Sequence, residues 1–160
     1  MDKSQVLQFF KIDHQKLVDV LARLTSDQMV DSSILSTWTV KDIIAHISAW
    51  NWEVIKQVKE VLSDKKPWYA DMTMEEFNEK EVKKRQNWPL KRILNEWKDS
   101  HDELIKCIEN LTNSEWEYQS NHSWPEGERI TVKSLFGYRY KGEGHEGGHA
   151  IQIIAYFNLE

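Results

Sequence analysis

The chain has 160 residues, 29% of them charged and 40% apolar, with a formal net charge of −5 and a pI near 5.7. That length suits a single domain over residues 1–160 with a core of its own, and the composition is globular rather than disordered. No Lys/Arg cluster interleaves with aromatics, so the acidic balance argues against nucleic acid as a partner.

The opening residues, Met1-Asp2-Lys3-Ser4-Gln5, lack the basic-then-apolar run of a signal peptide. Ser4 is read as the N-cap of a first helix over 4–24, in which Val6, Phe9, Phe10, Leu17, Val20, Leu21 and Leu24 recur at helical spacing. Thr39-Val40-Lys41-Asp42 has capping-box spacing, with Asp where Glu or Gln is usual. The helix it opens keeps Val40, Ile43, Ile44, Ile47, Val54, Val58 and Val61 on one face as far as Leu62, and Ser63 to Pro67 breaks it. A second capping signal, Thr73-Met74-Glu75-Glu76, opens a charged peripheral helix over 74–86, read as a solvated face or a lid. Pro89 starts a third long helix running to Leu111, with Ile93, Leu94, Trp97, Leu104, Ile108 and Leu111 inward. Cys107 shares that face and is read as a small core residue; as the single cysteine it permits no intramolecular disulfide. Residues 113–129 read as a loop holding Pro125 and a Glu-Gly-Glu turn, and the last helix is expected over 131–157. No stretch approaches the roughly 18 apolar residues of a membrane span, so a cytoplasmic protein without a membrane partner is expected.

A weak internal repeat runs through these elements. Leu24-Thr25-Ser26-Asp27-Gln28-Met29 resembles Leu111-Thr112-Asn113-Ser114-Glu115-Trp116, and Thr39-Val40-Lys41 recurs as Thr131-Val132-Lys133. Two helical hairpins packed about a pseudo-twofold axis would give a four-helix bundle.

Chemistry concentrates in the histidines. His145 and His149, four apart, lie one turn apart on one helical face and can chelate one ion. His46 flanks the apolar face of the second helix, beside Ile43 and Trp50, with no obvious polar partner. Three neutral imidazoles suit Zn²⁺ or Ni²⁺ best, with Fe²⁺ and Mn²⁺ also acceptable, and leave a coordination position open for water or substrate. Glu53, two turns past His46, is a candidate catalytic residue, as general base or fourth ligand, or a solvated carboxylate. Tyr138, the repeat counterpart of His46, is a proton donor or a core tyrosine. His14, His101 and His122 lack a partner at ligand spacing and are assigned surface or supporting roles. Trp50, Trp52 and Trp97 pack the core or line an apolar substrate cavity.

The segments Trp38-Thr39-Val40-Lys41-Asp42-Ile43-Ile44-Ala45-His46-Ile47 and His145-Glu146-Gly147-Gly148-His149-Ala150-Ile151-Gln152-Ile153 resemble the second-helix motif and the terminal HxxxH helix of the DinB/YfiT-like superfamily. The resemblance spans the chain in helix order and length. It implies an all-α, up-down-down-up four-helix bundle with a short extra helix between helices 2 and 3. It also implies a divalent metal held by His46, His145 and His149, and often a homodimer. Some members are thiol-dependent transferases or isomerases that use a low-molecular-weight thiol. The expected function is therefore a metal-dependent enzyme, a thiol S-transferase or hydrolase, acting on a small reactive or xenobiotic molecule in a stress response. The alternative is a non-catalytic binding protein that sequesters such a molecule, as in the related ClbS/DfsB-like branch. Gly142, Gly144, Gly147 and Gly148 crowd the terminal histidines, so either the helix is irregular there or something packs against its backbone.

Overall fold

The computed structural model describes residues 2–65, 68, 73–137 and 143–160. In chain order these form α1 (Lys3–Leu21), α2 (Ser26–Asp31), β1 (Ser33–Leu35), β2 (Trp38–Thr39), α3 (Val40–Leu62), α4 (Met74–Arg85), α5 (Leu90–Asn110), α6 (Asn113–Trp116), β3 (Gln119–Ser123), β4 (Arg129–Thr131), a 3-10 turn over Lys133–Phe136, and α7 (His145–Phe157). The helices α1, α3, α5 and α7 form a four-helix bundle, with α1 and α3 each packed between α5 and α7.

Side-chain contacts fix the helix directions. Lys3 at the start of α1 reaches the Leu111 carbonyl after α5, and Lys11 pairs with Glu109, so α1 and α5 are antiparallel. Asp13 meets Gly144 before α7, while Leu17, Val20 and Leu21 share a core cluster with Ala150 and Ile153, so α1 and α7 are parallel. Lys41 reaches the Trp88 carbonyl, Asn51 reaches Ser100, and Val58 clusters with Leu104 and Ile108, so α3 and α5 are parallel. The order is up-down-down-up, with α4 as the short extra helix between the second and third.

Local chemistry sets the boundaries. Thr39 accepts from the Asp42 amide, and Asp42 reaches back to the Thr39 amide, completing the expected box despite its shorter carboxylate. Thr73 and Glu76 do the same for α4. Ser4, however, is not the first cap: Asp2 takes that place in a box with Gln5, and α1 closes at Leu21, three residues early. The expected loop over 113–129 holds α6 and most of a β3–β4 hairpin that turns at Gly127, whose φ is +98°. The last helix is shorter than expected. Thr131 ends a strand, its hydroxyl accepts from the Ser134 amide ahead of one 3-10 turn, and α7 begins at His145. Tyr138 and Gly142 lie outside the described residues. The repeat is deeper than its sequence trace, because the capping boxes at Thr25 and Thr112 are each followed by a short antiparallel hairpin and then a threonine cap.

Apolar burial falls into two clusters. One gathers Leu17, Ile43, Ile47, Ile93 and Ile153; the other gathers Val6, Val58, Leu104, Ile108 and Ile130. Between them each long helix contributes buried polar side chains: Asp13 from α1, Ser48 and Asn51 from α3, Ser100 and His101 from α5, Glu146 from α7. Cys107 packs against the second cluster, and burial raises its thiol pKa, as suits a core residue. Among the described residues no helix is long and apolar enough to cross a membrane.

Candidate metal centre

The site forms where α7 begins, beside the second turn of α3. Gly144 is the N-cap residue of α7 and brings no capping side chain; the Asp13 carboxylate of α1 accepts from its amide at 2.7 Å instead. This contact explains Gly144 and Gly147. A Cβ on Gly144 would stand 2.5 Å from Asp13 Oδ2, and one on Gly147 would stand 2.7–2.9 Å from three atoms of the same carboxylate. The helix is regular, and what packs on its backbone is Asp13.

The three expected histidines converge. His145 Nε2 lies 2.8 Å from His46 Nε2 and 3.2 Å from His149 Nε2, and one ligand atom from each lies within 4.8 Å of the others. Their ring centroids are 4.7, 4.9 and 5.3 Å apart, with interplanar angles of 83°, 59° and 89°. An ion about 2.1 Å from each nitrogen needs centroids about 4.5 Å apart at right angles and about 5.2 Å apart in a tetrahedron. The triad therefore has the dimensions to hold one divalent ion on three of its faces.

Its electrostatics point the same way. Burial, with the His149 ring adding to it, lowers the His46 pKa to about 3. Burial and the two neighbouring imidazoles hold His145 well below its ordinary 6.5, and burial lowers His149. These are neutral imidazoles at neutral pH. His149 Nδ1 lies 2.7 Å from Gln152 Oε1, an acceptor-only atom, so Nδ1 carries the proton and Nε2 presents a lone pair. Trp38 leans over His46 at 5.0 Å.

A second cluster was not legible in the sequence. His14, His101 and Glu146, drawn from three helices, also place ligand-type atoms within 4.8 Å of one another. His14 Nδ1 is 2.8 Å from Glu146 Oε2, Trp97 Nε1 donates to Glu146 Oε1 at 2.9 Å, and His101 Nδ1 is 3.9 Å from that oxygen. His14 and His101, expected in surface or supporting roles, have a partner in Glu146, because the antiparallel packing of α1 on α5 brings together residues that no local spacing connects. The rings of His14 and His101 stack at 3.6 Å and 12°. Two nearly parallel rings so close cannot both aim an in-plane lone pair at one ion, so this arrangement does not fit a shared metal. One signal for Glu146 was present: His145-Glu146-x-x-His149 is the HExxH pattern, in which the Glu serves as general base. Here both of its oxygens are engaged on the α1 and α5 side.

Glu53 is buried, and burial raises its pKa, with Lys56 Nζ 3.5 Å away opposing. Seven residues along α3 is about 10.5 Å, and Glu53 is not among the groups that close around the triad. Of the tryptophans, Trp97 is buried on Glu146, Trp52 is exposed, and Trp50 lies tilted against Phe77 and donates to Asn78. His122 hydrogen-bonds the Asp64 carbonyl, pinning β3 to the end of α3.

A sequence model of the DinB superfamily matches residues 10–153, and the chain belongs to that superfamily. Among solved structures it is similar to a mycothiol-dependent maleylpyruvate isomerase, with a TM-score of 0.73 at 14% identity over 96% of this chain. The chain spans only 61% of that isomerase. It also resembles an uncharacterised protein from Escherichia coli UTI89, with a TM-score of 0.73 at 14% identity, covering 98% of this chain and 92% of that one. A third likeness is to YfiT of Bacillus subtilis, described as a probable metal-dependent hydrolase with an unusual four-helix bundle topology. Its TM-score is 0.62 at 16% identity, covering 98% of this chain and 85% of that one. At these identities the likenesses show the fold. No curated protein matches the sequence significantly.

Proposed function

We propose that the chain is a divalent-metal-dependent enzyme of the thiol S-transferase or hydrolase class, with His46, His145 and His149 as ligands. The observation that carries this reading is the convergence of three neutral imidazoles at chelating separations. By ligand type Zn²⁺ or Ni²⁺ fits best, then Fe²⁺ or Mn²⁺. When bound, the ion would lower the pKa of a coordinated water or thiol and supply a nucleophile at neutral pH. The likeness to a thiol-dependent isomerase supports a low-molecular-weight thiol as co-substrate, and the likeness to YfiT supports water.

The protein's own share is to hold the ligands neutral and oriented. Gln152 fixes the tautomer of His149, Trp38 shields His46, and Asp13 anchors the start of α7. Glu53, on the face of α3 that carries His46, is the proposed general base; at its distance it would act through the bound small molecule or a water rather than as a ligand. Metal analysis by mass spectrometry on tag-free protein tests the centre. Near one equivalent in the wild type, lost in His145→Ala/His149→Ala, is expected; no uptake after reconstitution in either protein refutes it.

A second reading has one observation in its favour. Trp50, Trp68 and Phe77 form an aromatic group beside Asn78, which suits sequestration of an apolar molecule. Tryptophan quenching by ligands that is indifferent to metal would favour that reading over the enzyme.

A further inference from the structure

We propose that Glu146 is a positioning residue for the three-histidine centre, fixing the rotation of the first turn of α7 and setting a negative charge beside the ligands. The inference rests on the metal reading above.

The first four residues of α7 are His145, Glu146, Gly147 and Gly148. Apart from the ligand itself, Glu146 is the only side chain in that turn; the bundle's other hold on it is Asp13, which packs on the backbone at Gly147. Glycine adds backbone freedom at two of the four positions, and the N-cap residue is a third glycine. Asp13 holds the Gly144 amide and packs against Gly147, which fixes where the helix begins from the α1 side alone.

Glu146 adds a constraint that reaches α5 as well as α1. Its side chain is buried, 6% exposed, and its two oxygens are held on different helices, one by Trp97 Nε1 of α5 and the other by His14 Nδ1 of α1. The indole N–H can only donate. Successive residues turn by about 100°, so a carboxylate drawn toward α1 and α5 swings its neighbour His145, and with it His149 one turn on, toward α3 and His46. Glu146 thus has the residue sequence of an HExxH base but serves as a clamp.

The charge matters as well as the grip. Three neutral imidazoles leave a divalent ion uncompensated, and a buried carboxylate on the same turn offsets part of its charge.

The test is cobalt(II) titration, followed by visible absorption, of the wild-type chain, Glu146→Gln, Glu146→Ala and Trp97→Phe, with circular dichroism and thermal unfolding alongside. Glu146→Gln keeps the shape and the Trp97 bond but loses the charge; cobalt affinity about tenfold weaker with the band positions retained is expected. Glu146→Ala also removes the clamp, so affinity 10–100-fold weaker with shifted bands is expected. Trp97→Phe, which keeps the carboxylate but frees one oxygen, is expected to shift the bands. It decides together with Glu146→Gln if Glu146→Ala does not fold. A merely structural glutamate would lower the melting temperature and leave the affinity and bands of the folded protein unchanged. Affinities within twofold of wild type in folded variants overturn the proposal. So does a second equivalent of cobalt that is lost in Glu146→Gln, because the cluster would then be a ligand set itself. If the wild-type chain takes up no cobalt, the metal reading fails first and this inference falls with it.

Discussion

Gly147→Ala sets two well-calibrated effects against each other. Inside an exposed helix the change stabilises by about 1 kcal/mol, because alanine loses less backbone freedom on folding. Here the new methyl would stand 2.7 Å from Asp13 Oδ1, 2.8 Å from its Cγ and 2.9 Å from Oδ2. Asp13 is 3% exposed, and its carboxylate also holds the Gly144 amide, so it cannot swing into solvent without releasing the helix start. Overpacking of this kind costs about 1–3 kcal/mol, and loss of the capping bond adds about 1 kcal/mol. The propensity gain offsets only part of that, and a net destabilisation of about 2 kcal/mol follows. Urea unfolding of the wild type, Gly147→Ala, Asp13→Ala and the double variant forms a cycle that isolates the contact. In the Asp13→Ala background the clash is gone, so Gly147→Ala should be neutral or stabilising there, with a coupling energy of about 2–3 kcal/mol. A Gly147→Ala protein as stable as the wild type, or additive effects across the cycle, would refute the account of why glycine stands at this position.

Three further outcomes follow from the same geometry. Gln152→Leu removes the acceptor that fixes the His149 tautomer, and metal affinity is expected to fall about 10–100-fold in a folded protein; unchanged affinity in a metal titration would remove Gln152 from the centre. The metal-free protein should lose stability as pH falls below 6.5. The unfolded chain protonates its histidines there, whereas burial holds folded His46 to about 3 and folded His101 to about 4. The unfolded state binds more protons across that window, so each of the two removes about 1.4 kcal/mol per pH unit on the way down, and His101→Gln should unfold with a shallower pH dependence between 6.5 and 5. Arg85→Ala leaves Glu96, otherwise paired through two guanidinium bonds, and Glu81 without their shared cation. A loss of about 3 kcal/mol is expected by urea unfolding, and a loss under 1 kcal/mol would show that α4 does not depend on that link.

The chain's own letters determined what is local or periodic. The apolar rows of α1, α3 and α5 repeat at helical spacing because each helix must bury one face, and that repeat is written in consecutive residues. Capping boxes at Thr39 and Thr73 are equally local, being closed by side chains three residues apart. His145 and His149 could be paired because one helical turn joins them, and His46 joined them as an unpartnered histidine on an apolar flank, supported by the resemblance to a family. What ran across helices stayed hidden. The start of α7 depends on a partner supplied from another helix, Asp13 on the Gly144 amide. The same holds for His14, His101 and Glu146, which lie on three helices and meet only because α1 runs antiparallel to α5 and parallel to α7. A helix periodicity states which face goes inward. Which residue of another helix it meets there is set by packing, and packing alone made HExxH a clamp and two plain histidines its partners.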